Sequence, residues 1–261
     1  MKIRKFIKGF FLTIVILILL AAIAAGGYLC YQTHMERQKT PDEIVQMEEE
    51  KTKIAYEENL AYALDVKEDC EFVVVLNPAH GGLDNGNENA YGKEKDITLA
   101  ICEQVIAANT DKTLGIFMTR DDDVVMDETM RLSFVEEMQP DLFIDVHLNK
   151  DTTTGSYGTT VYYSSAYFNR ELTNVEFADI MEKSVVSAIE GFACGIFETE
   201  KEETQIIETL QMPAVSIACG DLSNEKEGVL LTREPYQKNI ALGILEGITT
   251  AREKMQKEAL E

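Results

Sequence analysis

The feature of this sequence that most constrains the fold is an alternation of short apolar runs and helical patterns, which begins near Glu71. The apolar runs predict these strands: Phe72–Leu76, Gly115–Met118, Leu142–Val146, Thr159–Tyr163 and Ala214–Ile217. The helical patterns predict these helices: Lys95–Ala108, Glu128–Met138, Asn174–Gly191, Glu202–Leu210 and Pro235–Gln256. Several strands are continuously apolar, as expected where both faces of a sheet are covered. The alternation therefore predicts an α/β domain with a mostly parallel sheet flanked by helices on both faces.

The N-terminal region predicts a membrane anchor. Gly9–Leu29 is a run of 21 residues without a charged side chain, and at about 1.5 Å per residue it spans a hydrocarbon core of roughly 30 Å. Four basic residues precede this run and acidic residues follow it, so the positive-inside rule keeps the N terminus in the cytoplasm and exports the body of the chain. The alternative is a signal peptide cleaved near Ala22-Ile23-Ala24, which would release a secreted protein.

Three segments follow from these patterns: a basic tail with the anchor at 1–31, an acidic helical stalk at 32–69 and the α/β domain at 70–261. Thr40, Pro41 and Glu43 predict the start of the stalk helix, with Thr40 as N-cap and Glu43 closing a capping box. The helix carries one thin apolar stripe, made of Ile44, Met47, Ile54 and Ala61. We expect the stripe to pack on the adjacent domain, with a weak coiled-coil seam as the alternative.

The composition excludes some classes of function. The chain has 46 acidic and 24 basic residues and a formal net charge of −22, whereas nucleic-acid binding needs clustered Lys and Arg. The five cysteines are widely spaced and form no CxxC pair: Cys30, Cys70, Cys102, Cys194 and Cys219. This spacing argues against a cysteine zinc knuckle and predicts no disulfide framework. One bridge among Cys70, Cys194 and Cys219 stays open for a domain outside the cytoplasm.

Polar residues that follow predicted strands point to a metal site. His80 follows the first strand, His147 ends the third, and Glu94 opens the helix after the first strand. In open α/β sheets, ligands bind beyond the carboxyl ends of the strands, so these side chains are expected at one edge of the sheet. Two histidines and one carboxylate form a zinc set with an open fourth position. Such a site is catalytic in type because zinc lowers the pKa of a bound water to about 7.

A series of short motifs follows the predicted elements in a fixed order. The motifs are Asn77-Pro78-Ala79-His80-Gly81-Gly82, Glu94-Lys95-Asp96, Thr119-Arg120, Arg131, Asp141–Asn149, Gly158–Tyr163 and Pro213–Asn224. Together, from about Phe72 to Ile248, they resemble the zinc-dependent N-acetylmuramoyl-L-alanine amidases of bacterial cell-wall hydrolysis. The resemblance implies Zn²⁺ on His80, Glu94 and His147, with Arg131 and Asn149 as substrate-binding residues. It also implies peptidoglycan or muropeptides as the partner and hydrolysis of the amide between a lactyl group and L-alanine.

The sequence departs from this family at a central position. The family's last motif contains a glutamate that acts as general base and then general acid, and here Ala218 occupies its place. Loss of a positioned acid–base typically costs about 10² to 10⁴ in rate. Asp221 and Glu198 are the candidate substitutes. Three further departures lie nearby: Asn77 stands where the family has aspartate, Asp145 where it has serine and Asp221 where it has phenylalanine.

Three interpretations of the domain follow. It is an amidase in which another acid replaces the glutamate, or a pseudoamidase that binds zinc and peptidoglycan in a regulatory role with a place for a protein partner, or a purely structural domain. Outside the family, a metal-dependent deacetylase or carboxypeptidase would share the zinc and the location, but the order of the motifs favours the amidases. A membrane-tethered interaction protein is the remaining class, and zinc content separates it from the others.

Two residue types near the predicted site have two explanations each. Cys219 follows Ala218 directly and is either a ligand or nucleophile near the metal or a small buried residue at a strand end, which we favour. Tyrosines Tyr157, Tyr162 and Tyr163 either line a sugar-binding groove or belong partly to the core, and their position at a strand favours the core.

Overall fold

The computed structural model describes residues 14, 17–29, 31, 39–149, 157–199 and 206–260. It divides the chain into two compact units, Met1–Met47 and Glu48–Glu261. The larger unit therefore begins ahead of the predicted domain boundary at Cys70, because the helix assigned to the stalk contributes Ala63 to a hydrophobic core of this unit.

The elements follow the predicted alternation. The strands are β1 (Phe72–Pro78), β2 (Leu114–Met118), β3 (Leu142–Asn149), β4 (Thr159–Tyr163), β5 (Ala193–Glu198) and β6 (Ala214–Asp221). The helices are α1 (Pro41–Lys67), α2 (Glu94–Ala108), α3 (Glu128–Met138), α4 (Asn174–Ile189), α5 (Ile206–Thr209), α6 (Glu225–Leu231) and α7 (Glu234–Glu258). Residues 17–29 are also helical. The sequence missed β5 and α6, and residues 202–205 of the predicted helix Glu202–Leu210 lie outside the described residues.

The strands form one six-stranded sheet in the order β2-β1-β3-β6-β4-β5. The neighbours from β2 to β6 pair in parallel, whereas β4 runs antiparallel to β6 and parallel to β5. One core lies between the sheet and helices α2, α4 and α7, and a second core lies on the opposite face under α1, α3 and α5. The predicted α/β class, with helices on both faces of a mostly parallel sheet, is confirmed.

Helix α1 begins as predicted. The Thr40 backbone N–H donates to the Glu43 carboxylate over 2.7 Å, and the Glu43 N–H donates to the Thr40 hydroxyl over 3.3 Å. These reciprocal bonds form a capping box, which satisfies backbone donors that the first helical turn leaves without partners.

The apolar stripe predicted on this helix is not its packing face. Ile54 is 50% exposed and Ala61 is also exposed, whereas Asn59 and Ala63 are buried. The Asn59 amide donates to the carbonyl oxygens of Met118 and Thr119 over 2.9 and 3.1 Å. A polar side chain therefore fixes the helix at the end of β2, and the packing face is a second apolar stripe that the prediction passed over: Tyr56, Leu60, Ala63 and Leu64.

The predicted membrane anchor is only partly covered by the structure. Residues 9–13, 15 and 16 of Gly9–Leu29 lie outside the described residues. Among the helices that the structure describes, none is both long enough and apolar enough to cross a membrane. The anchor stays a prediction.

Candidate metal centre

The loop after β1 presents His80 in an unusual backbone conformation. His80 has a φ of 62°, in the left-handed region, and the two glycines that follow it also have positive φ. Gly86, later in the same loop, lies against the His80 ring so closely that a Cβ at this position would lie 2.3 Å from Cδ2 of the ring. The glycines of this motif thus allow the loop to fold back on itself and fix the orientation of the imidazole.

Glu94 is the first residue of α2 and is only 1% exposed. Its carboxylate accepts hydrogen bonds from the backbone N–H of Leu148 over 2.8 Å and of Asn87 over 2.9 Å. The same oxygens lie 3.3 Å from His80 Nε2 and 3.5 Å from His147 Nδ1. Two backbone donors therefore hold the carboxylate between the two imidazoles.

His147 lies on β3, beside β1, and its ring lies 5.7 Å from the His80 ring between centroids. Its Nε2 lies 2.7 Å from the Asp145 carboxylate, while its Nδ1 points toward Glu94. One ligand atom from each of His80, Glu94 and His147 lies within 4.8 Å of the others. The structure thus brings together the three residues that the sequence predicted as metal ligands.

The charges of the cluster reinforce one another. Burial alone would raise the pKa of Glu94, but hydrogen bonds and charge from His147 and His80 outweigh it and hold this pKa well below its ordinary value. Burial alone would lower the pKa of His147, but the carboxylates of Asp145 and Glu94 raise it far above its ordinary value. In the metal-free protein, these two carboxylates therefore favour the charged form of His147.

Both histidines are backed by a second carboxylate. His80 Nδ1 lies 2.8 Å from Asp84, and the Asp84 carboxylate also accepts the N–H of Gly86 over 3.0 Å. Asp145 does the same for His147 and is fully buried. Carboxylates in this position fix the tautomer and ring orientation of metal-binding histidines. The donor set and its backing therefore fit a zinc ion.

Arg120 braces the loop that carries His80. Its buried guanidinium donates to the carbonyl oxygens of Pro78, Ala79 and Lys95 over 3.1, 3.0 and 2.9 Å. These bonds join the end of β1 to the first turn of α2, and thus join the backbones that carry His80 and Glu94. The motif Thr119-Arg120 marked this position in the sequence, but nothing in the pattern predicted its role.

Lys95 braces the same loop from the other side. Its ammonium group donates to the carbonyl oxygen of Gly82 over 2.6 Å and to the Asp123 carboxylate over 2.8 Å. Asp123 in turn accepts the N–H of Gly82 over 2.7 Å. The turn that follows His80 is therefore held by a buried cation and its partner.

Ala218 lies beside the cluster and offers no acid. It is 3% exposed and pairs with His147 across β3 and β6. Asp221, a candidate substitute, is buried three residues further along, and its carboxylate accepts the N–H and hydroxyl of Ser223 over 2.7 and 2.5 Å. This carboxylate is engaged in the turn after β6, and its role as a catalytic acid stays a prediction.

The structure does not bring Glu198, the other candidate, to the cluster. Glu198 is the last residue of β5 and lies level with Tyr163, which pairs with Val215. Val215 is three residues before Ala218 on β6. Because β4 and β5 run opposite to β6, the last residue of β5 lies level with the start of β6. The cluster lies at the other end of these strands. The apolar pattern of a strand does not reveal its direction, so the sequence could not show this.

The two predicted substrate-binding residues lie near the cluster. Arg131, in α3, is partly exposed, and its positive charge helps to lower the pKa values of Asp84 and Asp145. Asn149 ends β3, and its amide donates to the Thr160 hydroxyl over 3.1 Å. Substrate contact by these side chains stays a prediction.

Glu227 is a buried carboxylate that sequence reasoning missed. Both of its oxygens lie 3.1 Å from the N–H of Gly158, and one accepts the N–H of Asp221 over 2.7 Å. Burial raises its pKa. It ties α6 to the end of β6 and the start of β4, and its position three residues after the N-cap Asn224 was the only signal for it.

The structure decides between the two explanations for Cys219 and places the three tyrosines in different surroundings. Cys70, Cys102, Cys194 and Cys219 are free thiols. Cys219 is fully buried in the core and burial raises its pKa, which confirms the structural explanation. Tyr157 is 43% exposed and lines a cavity of about 620 Å³ together with Phe192, whereas Tyr162 and Tyr163 are half-buried. None of the three predicted ligands lines this cavity.

Comparisons with known proteins identify the family of this chain. Residues 74–250 match the family described as N-acetylmuramoyl-L-alanine amidase. The germination-specific N-acetylmuramoyl-L-alanine amidase of Bacillus subtilis (strain 168) is 24% identical over 194 residues, which cover 67% of this chain and 78% of the relative.

Two solved structures share the fold and part of the sequence. The catalytic domain of CwlV, an N-acetylmuramoyl-L-alanine amidase from Bacillus (Paenibacillus) polymyxa var. colistinus, is 30% identical with a TM-score of 0.63 and covers 70% of this chain and 98% of its own. The CwlD amidase from Clostridioides difficile, solved in complex with the GerS lipoprotein, is 25% identical with a TM-score of 0.61 and covers 70% of this chain and 99% of its own. Because the family match spans most of the sequence and includes His80, Glu94 and His147, the chain belongs to the N-acetylmuramoyl-L-alanine amidase family.

Proposed function

We propose that this chain is an extracytoplasmic, zinc-dependent amidase-type domain that acts on peptidoglycan, at the amide between the lactyl group of muramic acid and L-alanine. The observation that carries the proposal is the cluster of His80, Glu94 and His147, built at the strand-end edge of a sheet of the amidase family. The uncharged run Gly9–Leu29 supports the extracytoplasmic location, since an anchor or a cleaved signal peptide at this place would export the domain.

The residues of the chain have separable roles in this proposal. His80, Glu94 and His147 would hold the zinc ion, and Asp84 and Asp145 would keep the two imidazoles in the tautomers that present a free nitrogen. Zinc, when bound, supplies a Lewis acid and a water with a pKa near 7. Hydrolysis of an amide also requires a proton for the leaving amine, and a methyl group at position 218 cannot deliver one.

The same position favours a second candidate function. Ala218 stands beside His147, and among the described carboxylates Glu198 is turned away and Asp221 is engaged in a turn. A domain that keeps the ligand set without the acid–base is expected to bind zinc and peptidoglycan while cleaving slowly. Its role would then be regulatory, and the complex of the related CwlD amidase with a lipoprotein supports a protein partner for this chain.

The experiment that tests both candidates measures amide cleavage and binding of purified muropeptides by the full-length chain, loaded with zinc, beside the Ala218→Glu variant. Cleavage by the wild type that depends on His147 supports the amidase, and Asp221→Asn then tests the remaining substitute acid. An inert wild type with an active Ala218→Glu variant supports the regulatory function. If neither cleaves or binds muropeptides, both candidates are wrong.

A further inference from the structure

Asp145 is a fully buried carboxylate behind a predicted metal ligand. One of its oxygens accepts a hydrogen bond from the Asn77 amide over 2.6 Å. The other accepts from the Ser216 hydroxyl over 3.0 Å and lies 2.7 Å from His147 Nε2. Three side-chain donors on three neighbouring strands thus converge on one carboxylate, which is the condition under which a buried charge is tolerated.

The network has a fixed direction. The Thr119 hydroxyl donates to the Asn77 carbonyl oxygen over 2.6 Å, so the amide nitrogen of Asn77 faces Asp145. Asp145 is an acceptor only, and His147 must therefore donate from Nε2. In the neutral imidazole that binds a metal, Nδ1 is then the nitrogen whose lone pair faces the site beside Glu94, 3.5 Å away. The orientation of one predicted ligand is set by a chain of bonds that begins at Thr119, directly after β2.

The network also explains two departures from the family motif as one coupled change. The resemblance to the amidases implies aspartate at position 77 and serine at position 145, whereas this chain has Asn77 and Asp145. At a contact of 2.6 Å, two carboxylates would face each other without a donor between them. Like charges so close cannot both stay ionised in a buried site. An amide at position 77 is therefore required once a carboxylate occupies position 145.

We propose that Asp145 is a positioning residue that holds His147 in its metal-binding tautomer, and that Asn77 is its obligatory partner. The inference rests on the proposed binding of zinc. It assigns Asp145 to the support of the ligand and not to proton transfer with substrate, because no part of its side chain reaches the surface. Loss of a partner in this position typically lowers metal affinity about 10- to 100-fold.

The test compares zinc affinity, by competition with a chelator, in the full-length wild type and in Asp145→Ser, Asp145→Asn and Asn77→Asp. The matched control is Asp141→Ser, since Asp141 precedes the same strand and its carboxylate accepts the N–H of Val73 over 2.7 Å, away from the cluster. Nitrogen NMR of the zinc-loaded proteins reports which nitrogen of His147 carries the proton, a property that a merely structural residue would not change.

We expect a 10- to 100-fold loss of zinc affinity in Asp145→Ser and in Asn77→Asp, and a smaller loss in Asp145→Asn, which keeps the volume of the side chain. The double variant Asn77→Asp/Asp145→Ser should bind zinc more tightly than either single variant, because it returns to one carboxylate in the network. Asp141→Ser should leave affinity and tautomer unchanged. Asp145→Asn retains a readout if Asp145→Ser does not fold.

Two results separate the inference from the proposed function. If the wild type binds zinc and Asp145→Ser and Asp145→Asn bind it within about threefold, with the same His147 tautomer, the inference is wrong and the proposed function stands. If the wild type itself does not bind zinc, the proposed function fails and the inference fails with it.

Discussion

The two sides of the candidate metal centre differ in the polar groups that they provide. On the side of β1 and β3, each of the three ligands has a second polar contact that fixes it, from a carboxylate for the two histidines and from backbone N–H groups for Glu94. On the side of β6, Ala218 presents a methyl group beside His147, at the position where the resemblance to the amidases predicts an acid–base. The three predicted ligands are thus each held by a second polar group, whereas the side chain at position 218 has no group that can transfer a proton.

The β6 side is not simply loose. Glu227 and Asp221 lie there, and both are buried and bonded to neighbouring donors. They stabilise the turn between β6 and α6, so the local fold is kept even though the acid is absent. The comparison therefore contrasts two kinds of constraint, one that serves a ligand site and one that serves the fold.

The largest expected effect comes from placing a carboxylic acid at position 218, which would remove the difference between the two sides. We expect Ala218→Glu to raise muropeptide cleavage by the zinc-loaded protein by about 10² to 10⁴, the usual contribution of a positioned acid–base. Ala218→Gln is the matched control, because it adds the same volume without a carboxylate. Equal rates for the two variants would show that the position no longer supports proton transfer.

Much of this arrangement was accessible from the sequence. The alternation of runs fixed the class of fold, and strand-end positions identified His80, His147 and Glu94 because parallel strands end at a common edge. The support of His147 by Asp145 was not accessible, since it depends on which strands are neighbours. Glu198 was misplaced for a related reason, because strand direction leaves no mark on an apolar pattern.

The missed elements have physical reasons as well. Strand β5 lies at the edge of the sheet and much of it is exposed; its sequence contains only one β-branched residue, Ile196, and is interrupted by Gly195, so the strand signal is weak. Helix α6 has seven residues, which is too short for a clear periodicity. Helix α1 has two apolar stripes, and the one that packs on the core contains Tyr56, Leu60 and Ala63, next to the Asn59 amide that bonds the end of β2.

The second prediction sharpens the comparison with the same substitution on both sides. Glu94→Gln removes a ligand charge and should weaken zinc binding by more than the roughly 10- to 100-fold of a supporting residue. Glu227→Gln, on the other side, should leave zinc affinity unchanged and lower thermal stability, because its N–H donors lose an acceptor. Chelator competition and thermal unfolding measure the two effects. If Glu227→Gln weakened zinc binding, the β6 side would also support the metal site, and the contrast between the two sides would be wrong.

The third prediction concerns pH. Although burial opposes it, Asp145 and Glu94 raise the pKa of His147 well above its ordinary value, so His147 is protonated near pH 7 in the metal-free protein. Zinc binds the neutral imidazole, so binding must release this proton. Apparent zinc affinity should therefore rise about tenfold per pH unit for each proton displaced, and fall as the solution is acidified. Calorimetric titration in two buffers with different ionisation enthalpies counts the protons, and an affinity independent of pH would contradict the charge assignment.

The smallest expected effect tests how far the constraint extends from the ligands. Lys95→Met leaves the Gly82 carbonyl and Asp123 without their buried donor and should cost about 1–3 kcal/mol of unfolding free energy. Lys51→Met removes an exposed hydrogen bond to the Asp123 carbonyl oxygen over 2.7 Å and an ion pair with Asp122 over 3.4 Å, in which both side chains are largely exposed. Its cost should be only about 0–1 kcal/mol. Denaturant unfolding of the two variants measures the difference. Equal losses of unfolding free energy would show that the burial of Lys95 does not stabilise the loop around His80. The firmly held part of the β1 side would then consist only of the predicted ligands and the groups bonded to them.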